Sequence, residues 1–562
     1  MASITIDGKK IEFEPGRTII QAARENGIEI PHFCWHPKLS VSGNCRVCLV
    51  EIENMPKLVI ACATPASDGM VVFTNSEKAV KARNAVMEFI LINHPLDCPI
   101  CDEAGECKLQ DYTYKYSVGE SRFKEEKQHK DKRVPLGPNV MFDGDRCISC
   151  SRCIRFCDEI VKKPQLTFVK RGDRVTIVTY PGKELDNDYS LNVTDICPVG
   201  ALTNRDFRFK SRVWELSVTK SVCNGCARGC NSEIWTRNNL ILRITPRENE
   251  SVNSYWMCDY GRLNTFKHIN RFETRIEGAF VKKDGSHSPL EWGAAYKEAA
   301  AELKKFKKDE IAFIGSAYAS NEDNYLFSKF AAELGVKNID FMRHNDSSFG
   351  DDLLKRNDVT PNSAGAELAG ITPLKTENSF SEIIRQINNG TIKALYLLED
   401  DIVAADSSLA DALSSLQLLI VHSVNFNKTT ELAHFIFGAS AYAEKNGTMI
   451  NFEGRIQRLR PAVALKTPEM SLDGFVPSRP EKFGTEYDKW AKKNIKDVLP
   501  SWYIIKSIAK EMGIKMNYLT SEDIFIEMSR KIENLAGLTY TAIGDMGINI
   551  KEAAGKTAAK AL

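Results

Sequence analysis

The chain has 562 residues, of which 43% are hydrophobic and 27% charged, with a formal net charge of +1. That composition is ordinary for globular protein, and the length allows about three to five domains. Near-neutral charge provides no field favouring nucleic acid or an anionic membrane, and no run approaches the roughly 18 apolar residues that span a bilayer.

The N-terminus, MASITIDGKKIEF, lacks a basic-then-apolar leader and reads as a mature cytoplasmic terminus. Within it, ITIDGKKIEF alternates apolar residues around Asp7-Gly8, the signature of a hairpin. Residues 18 to 28 carry helical spacing and stop at Gly27. Cys34, Cys45, Cys48 and Cys62 follow, and the loop GNCRVCLVEI runs directly into a strand. Hairpin, helix and cysteine loop together point to a β-grasp ferredoxin domain with a [2Fe–2S] cluster on these four cysteines. Zinc is the alternative. Gly43 permits close backbone approach, although the first cysteine gap of ten residues exceeds the plant-type spacing. His32 and His36 flank Cys34. They could donate to a cluster sulfur, but exposed loop positions are the expectation.

Residues 93 to 107 read NHPLDCPICDEAGEC and place His94 before Cys98, Cys101 and Cys107. Three sulfurs and one nitrogen are also a common zinc shell, so these residues alone leave the metal open. The charged stretch KEEKQHKDKRVPLGPN (124–139) reads as a solvated connector or docking surface. CISCSRC then sets Cys147, Cys150 and Cys153 at spacings that hold three corners of a cubane. Cys197, in DICPVGALT, supplies the fourth corner with proline after it, as in bacterial ferredoxins. Cys157 is left over. Asp158 follows it where a ligand cysteine would have proline, so a buried non-ligand thiol facing the same cluster is expected. Arg46, Arg152 and Arg155 sit among these ligands, able either to offset cluster charge or simply to be solvated. The last set is Cys223, Cys226, Cys230 and Cys258, in SVCNGCARGC and YWMCDYGR. Its triplet plus one distant cysteine favours [4Fe–4S] over the paired CxxC units of a zinc ribbon. All 16 cysteines lie between Cys34 and Cys258, a concentration that in a reducing compartment favours metal ligands over disulfides.

Beyond about residue 290 the texture turns α/β. IAFIGSAYAS (311–320) is a buried strand with a small-residue loop, Asn321 to Leu334 is helical with Gly335 as its stop, and NIDFM, IKALYLL and LQLLIV are parallel-sheet strands. KNGTMINFEGRIQRLRPA (445–462) reads as two strands around Glu453-Gly454. Gly315 and Gly447 sit where cofactor loops would lie, although isolated glycines do not specify a ligand. The last residues, KEAAGKTAAKAL, read as a frayed tail or an exposed helix.

The order of these sites resembles the large iron–sulfur subunit of bacterial NADH:quinone oxidoreductase, respiratory complex I, over residues 1 to about 270. The stretch AHFIFGASAYAEKNGTMINFEGRIQ also resembles molybdopterin oxidoreductases such as formate dehydrogenase. The resemblance implies one [2Fe–2S] cluster on the first set and three [4Fe–4S] clusters on the others, with His94 as an unusual nitrogen ligand. It also implies a relay of single electrons from a flavin- and NADH-binding subunit toward other iron–sulfur subunits and quinone, within a complex that translocates protons. The expected place is peripheral, on the cytoplasmic side of the bacterial inner membrane, with membrane contact only through the complex. No G-x-G-x-x-G follows a strand here, so hydride and flavin chemistry fall to a partner and no catalytic residue is expected. The implied division is 1–78, 79–118, 119–215, 216–272 and 273–562, mixed α/β and α+β. The final segment is a molybdopterin-oxidoreductase-like α/β domain without pterin, because no cysteine follows Cys258. The rivals are a catalytic formate dehydrogenase-like enzyme, a hydrogenase-associated iron–sulfur subunit and a zinc-stapled scaffold.

Overall fold

Asp7 (φ 48°) and Gly8 (φ 82°) both take left-handed backbone, which gives the tight turn whose twist matches paired strands. In the computed structural model, which describes residues 2–117, 119–467 and 493–551, this turn joins β1 (Ala2–Ile6) to β2 (Lys9–Phe13) in antiparallel register. Ile4, Ile6, Ile11 and Phe13 face inward at the two-residue strand period. Helix α1 (Ile19–Glu25) starts at Thr18, whose backbone N–H donates to Gln21 Oε1 at 2.9 Å. The helix buries Ile19, Ile20, Ala22 and Ala23 on one face. Strands β3 (Leu49–Ile52), β4 (Val59–Ile60) and β5 (Val71–Phe73) complete a sheet of order β2-β1-β5-β3-β4. The β1–β5 pair is parallel, and the whole is a β-grasp arrangement.

The chain forms two compact units, Met1–Trp214 and Glu215–Leu562. The first continues with α2 (Glu77–Leu91) and α3 (Lys108–Tyr116), then β6 (Val134–Pro135) and β7 (Val140–Phe142). Helix α4 (Arg152–Arg155) passes directly into a single π turn, Phe156–Ile160. The hairpin β8 (Leu166–Val169) and β9 (Thr176–Thr179) and strand β10 (Leu202–Asn204), paired with β7, close the unit. The charged stretch from 124 is mostly exposed, as expected, but Lys127 turns back to donate to the carbonyls of Leu91 and Ile92 at 2.9 and 2.6 Å.

The second unit opens with an antiparallel sheet, β11 (Ser217–Val222), β12 (Asn231–Arg237) and β13 (Leu240–Pro246). Its larger sheet uses β14 (Ala279–Lys283), β15 (Ser286–Leu290), β16 (Ile311–Gly315), β17 (Asn338–Phe341), β18 (Ala394–Leu398), β19 (Leu418–Ser423) and β20 (Phe435–Gly438). The order is β15-β14-β20-β19-β18-β16-β17, with parallel pairing from β20 to β17. Every residue of β16, β18 and β19 is buried, because both faces are covered. One face packs Phe313, Tyr396 and Ile420 with Leu326, Phe327 and Phe330; the other packs Ile314, Leu397 and Leu419 with Ile383, Ile387 and Leu413. Strands β21 (Gly447–Ile450) and β22 (Arg455–Leu459) pair as an antiparallel hairpin. Of the C-terminal stretch KEAAGKTAAKAL only Lys551 is described; the tail expected there lies outside the described residues.

Gly315 and Gly447 do not open onto cofactor loops. A Cβ on Gly315 would stand 2.6 Å from Ile371 Cγ2, and one on Gly447 would stand 2.9 Å from both Ser320 Cβ and Glu322 Oε2. Both glycines make room for the chain's own packing.

Candidate metal centres

The first set hangs on loops that follow α1 and frame β3 and β4. Its thiols lie side by side, Cys45 and Cys62 against Cys34 and Cys48 against Cys62. Cys34 N also donates to Cys45 Sγ at 3.4 Å. The backbone N–H groups of Asn44 and Cys45 turn toward the Cys34 sulfur, helped by left-handed Gly43 and Arg46. Such a nest of N–H dipoles suits an anionic sulfur. The hydrogen bonds from Cys45 and Cys62 hold the Cys34 thiol well below its ordinary range.

The third set has the same construction. Ser149 (φ 54°) and Ser151 (φ 63°) are left-handed without being glycine, a strained loop held by its surroundings. Ser149 N donates to Cys147 Sγ at 3.4 Å, and Arg152 N faces the Cys150 sulfur. Burial pushes Cys147 up to about 11 and Cys153 and Cys197 well above the normal thiol range. Cys157 is fully buried beside Cys153, and its thiol is raised to about 12 by burial and then by Asp158.

In the second set Cys101 and Cys107 are buried while Cys98 is exposed. Burial raises Cys107 to about 12. His94 is lowered to about 4 by burial, then by the charges of Arg146 and Lys127, so its imidazole is neutral near pH 7, the state that ligates metals. Arg146, itself buried between Asp97 (3.0 Å) and Asp143 (3.1 Å), also acts on Cys101.

The fourth set lies wholly in the second unit. Cys223 N donates to Cys230 O at 2.8 Å, and Gly261 N donates to Cys258 Sγ at 3.4 Å. A Cβ on Gly261 would stand 2.9 Å from Cys223 Sγ and 3.5 Å from Cys258 Sγ, so this glycine brings the first and last cysteines of the set together. Burial drives Cys223 and Cys230 well above the ordinary thiol range. Among the described residues, no three His, Cys, Asp or Glu side chains converge on a single-ion position.

Within the first unit three sets interlock. Arg155 Nη2 donates to the carbonyls of both Cys34 (2.5 Å) and Cys150 (3.4 Å), and Asn44 Nδ2 donates to Ser149 O at 3.0 Å. Beyond Cys197, Pro198 O lies 3.9 Å from Cys107 Sγ, and a Cβ on Gly200 would stand 2.2 Å from Cys101 Sγ. The contacts therefore run from the first set to the third and on to the second, not in chain order.

His32 and His36 correct an expectation: neither is exposed. His32 Nδ1 lies 2.7 Å from Ile30 O with its ring edge-on to Trp35, and His36 Nδ1 accepts from Lys38 N at 3.2 Å. Burial lowers them to about 4 and 3. Of the three arginines, Arg46 is exposed, Arg155 is half-buried and Arg152 is buried. Gly200 and Gly261 went unnoticed in the sequence; their one local signal is a position three residues after a ligand cysteine.

The family described as 2Fe-2S iron-sulfur cluster binding domain matches residues 1–77. NADH-ubiquinone oxidoreductase-G iron-sulfur binding region matches 83–122, and NADH-quinone oxidoreductase subunit 3, ferredoxin-like domain, matches 137–203. Molybdopterin oxidoreductase Fe4S4 domain matches 216–270, and Molybdopterin oxidoreductase matches 275–372 and 347–468. The NADH-quinone oxidoreductase G subunit of Rickettsia felis is 35% identical over 80% of this chain and 68% of its own length. The chain belongs to the family of NADH-quinone oxidoreductase G subunits. The NADH-ubiquinone oxidoreductase 75 kDa subunit of Reclinomonas americana is 40% identical over 64% of this chain and 53% of its own length. A chain from an NAD+-reducing [NiFe]-hydrogenase in the H2-reduced state is 29% identical over 38% of this chain and 91% of its own, with a TM-score of 0.35. This G-type family member spans about half the length of other curated relatives, 50% and 49% of the Rickettsia conorii and Rickettsia bellii proteins. It carries domains that bind 2Fe-2S and 4Fe-4S clusters.

Proposed function

We propose that this chain is the electron-relaying iron–sulfur subunit of the peripheral arm of a proton-translocating NADH:quinone oxidoreductase. On this reading Cys34, Cys45, Cys48 and Cys62 hold a [2Fe–2S] cluster. His94 with Cys98, Cys101 and Cys107, Cys147 with Cys150, Cys153 and Cys197, and Cys223 with Cys226, Cys230 and Cys258 each hold a [4Fe–4S] cluster. The segments 1–78, 79–118, 119–215 and 216–272 carry them in turn. The donor sets fit: they offer sulfur and one neutral imidazole, with backbone N–H groups aimed at the buried sulfurs. Such clusters, when bound, accept and release one electron at a time.

The chain's own residues hold these donors, keep water from most of them and set their order in space. The observation that carries the reading is the interlock of three sets through Arg155 and Pro198–Gly200. Neighbouring sets are packed against one another, and a relay of single electrons requires such proximity. Cys98, exposed at the edge of the second set, favours a second iron–sulfur subunit docked nearby, and a flavin subunit supplies electrons from NADH. On this reading the chain is attached peripherally, on the cytoplasmic side of the bacterial inner membrane; no helix among the described residues is long and apolar enough to cross a membrane.

Molybdopterin does not fit the residues of the second unit. In open α/β sheets ligands bind beyond the carboxyl ends of the strands, where strand order reverses. Here that place, between β16 and β18, adjoins a cavity of about 320 Å³ lined by Tyr318, Glu399, Asp400 and Asp401. Among the described residues no lysine or arginine lines it, so three carboxylates would oppose a cofactor's phosphate. Beside it, buried Lys445 is engaged by Asp323 at 2.7 Å and Glu399 at 2.8 Å.

The deciding measurement is iron, acid-labile sulfide, zinc and molybdenum on this chain purified by itself and reconstituted anaerobically, with low-temperature EPR. About 14 iron atoms per chain are expected, or about 10 if the last set is empty, with no molybdenum. Zinc in place of iron, with no reducible centre after anaerobic reconstitution, overturns the proposal.

A further inference from the structure

Arg152 is 4% exposed, yet among the described residues no carboxylate lies within ion-pair distance of it. Its guanidinium reaches two carbonyls instead. Nη1 donates to Ile196 O at 3.1 Å, next to Cys197, and Nη2 donates to Trp35 O, next to Cys34. Its Nε is buried and has no hydrogen-bond partner among the described residues. A guanidinium cannot shed its proton in a protein, so this charge stays, and a buried charge needs a counter-charge. The groups near enough to answer it are the sulfurs of Cys150 and Cys197 of the third set and Cys34 and Cys45 of the first, which are negative as cluster ligands. His32 and His36, packed alongside, are held neutral by burial.

We propose that Arg152 is the shared counter-ion of the first and third cluster sites, one fixed positive charge that makes both easier to reduce and ties their potentials together. The inference rests on the ligand sets proposed above. Cages with four thiolates carry net negative charge and gain more on reduction, so a nearby cation stabilises the reduced form more than the oxidised one. Burial matters here, because a solvated cation at the same distance is screened by water. Arg155 also spans the two sites, but from a half-buried position, where water screens its charge more.

The test is an EPR-monitored redox titration of the intact complex carrying Arg152→Met, Arg152→Lys or, as a control, Arg171→Gln at an exposed arginine outside the ligand loops. Arg152→Met should lower two centres together, one of them [2Fe–2S], each by about tenfold in reduction equilibrium, or 59 mV. The remaining centres and the Arg171→Gln protein should stay in place. Arg152→Lys keeps the charge while losing the forked carbonyl bonds, so its two potentials should remain near wild type. If Arg152→Met fails to assemble clusters, the lysine variant still decides: an unshifted pair supports the counter-ion and a pair lowered as by charge loss overturns it. In Arg152→Met, movement of a single centre, or of none, also overturns it. A wild-type complex lacking the two signals would instead sink the assignment of the ligand sets.

Discussion

Gly200 and Cys101 are 99 positions apart in the chain, and a single methyl group on Gly200 would stand 2.2 Å from the Cys101 sulfur. The backbone after Cys197 therefore forms part of the wall of the second ligand set. Gly200 does not take left-handed backbone, so alanine there costs only the collision. Overpacking of this kind typically costs about 1–3 kcal/mol. Gly200→Ala should displace Cys101, weaken or shift the EPR signal of the His94 centre and leave the fourth centre untouched. Gly261→Ala should do the converse, because its methyl meets Cys223 and Cys258. Identical spectra for wild type and Gly200→Ala would show that the two loops separate easily and are not one wall.

His94 sets the second site apart from the other three. A neutral imidazole in place of a thiolate leaves the site one unit less negative, and less negative clusters are easier to reduce. His94→Cys should lower the potential of one centre by at least about tenfold in equilibrium, 59 mV being one decade for a single electron. The others should move little, since their own ligands are unchanged. Redox titration followed by EPR reads this directly. Equal movement of every signal would count against His94 as a ligand.

The parts legible in the sequence are those set by neighbours along the chain. Asp7-Gly8 specifies its turn, helical spacing from residue 18 with Gly27 as its stop marks α1, and the apolar runs of β16, β18 and β19 announce strands covered on both faces. Cysteine spacing belongs to the same class, because one loop holds three donors. What depended on packing was hidden. His32 and His36 look like loop residues until Trp35 and Arg152 close over them. Gly315 and Gly447 resemble cofactor glycines until Ile371 and Ser320 are seen filling the space. The two possibilities for Arg152, solvated or facing a cluster, differ only in which carbonyls fold within its reach, here those of Trp35 and Ile196.

The ligand thiols also predict how the sites refill after iron is removed. Ligands bind metal deprotonated, so loading releases protons and strengthens with pH. Burial holds Cys147 at about 11 and Cys107 at about 12, above the ordinary value of about 8.5 for a solvated thiol. Between about pH 6.5 and 8.5 these groups are thiols in the iron-free chain, and each unit of pH eases their ionisation about tenfold. Reconstitution of chelated protein with ferrous iron and sulfide should therefore be faster and more complete at the upper end of that range. Absorbance near the cluster bands, with iron counted afterwards, measures it. A pH-independent yield would mean that the thiols are already ionised without metal.

Glu322 gives the second unit a pH dependence of the opposite kind to that of a surface carboxylate. It is fully buried in the first turn of the helix Asn321–Glu333. It accepts from Thr448 N (2.8 Å), Thr448 Oγ1 (2.7 Å) and Tyr540 OH (3.0 Å), which ties the helix to β21. Burial outweighs those donors and raises the carboxyl from 4.5 to about 7. The folded chain thus keeps a proton that the unfolded chain has lost between those values. The stability this group contributes is full below about pH 4.5 and is lost as pH rises through about 7, a span on the order of 3 kcal/mol. Hydrogen exchange at residues 447–450, corrected for the intrinsic rate, should show weaker protection at about pH 8 than at about pH 5. Glu322→Gln has nothing to ionise, so its protection should change little across that range and exceed wild type at the alkaline end. Equal pH slopes in the two proteins would assign the effect to another group.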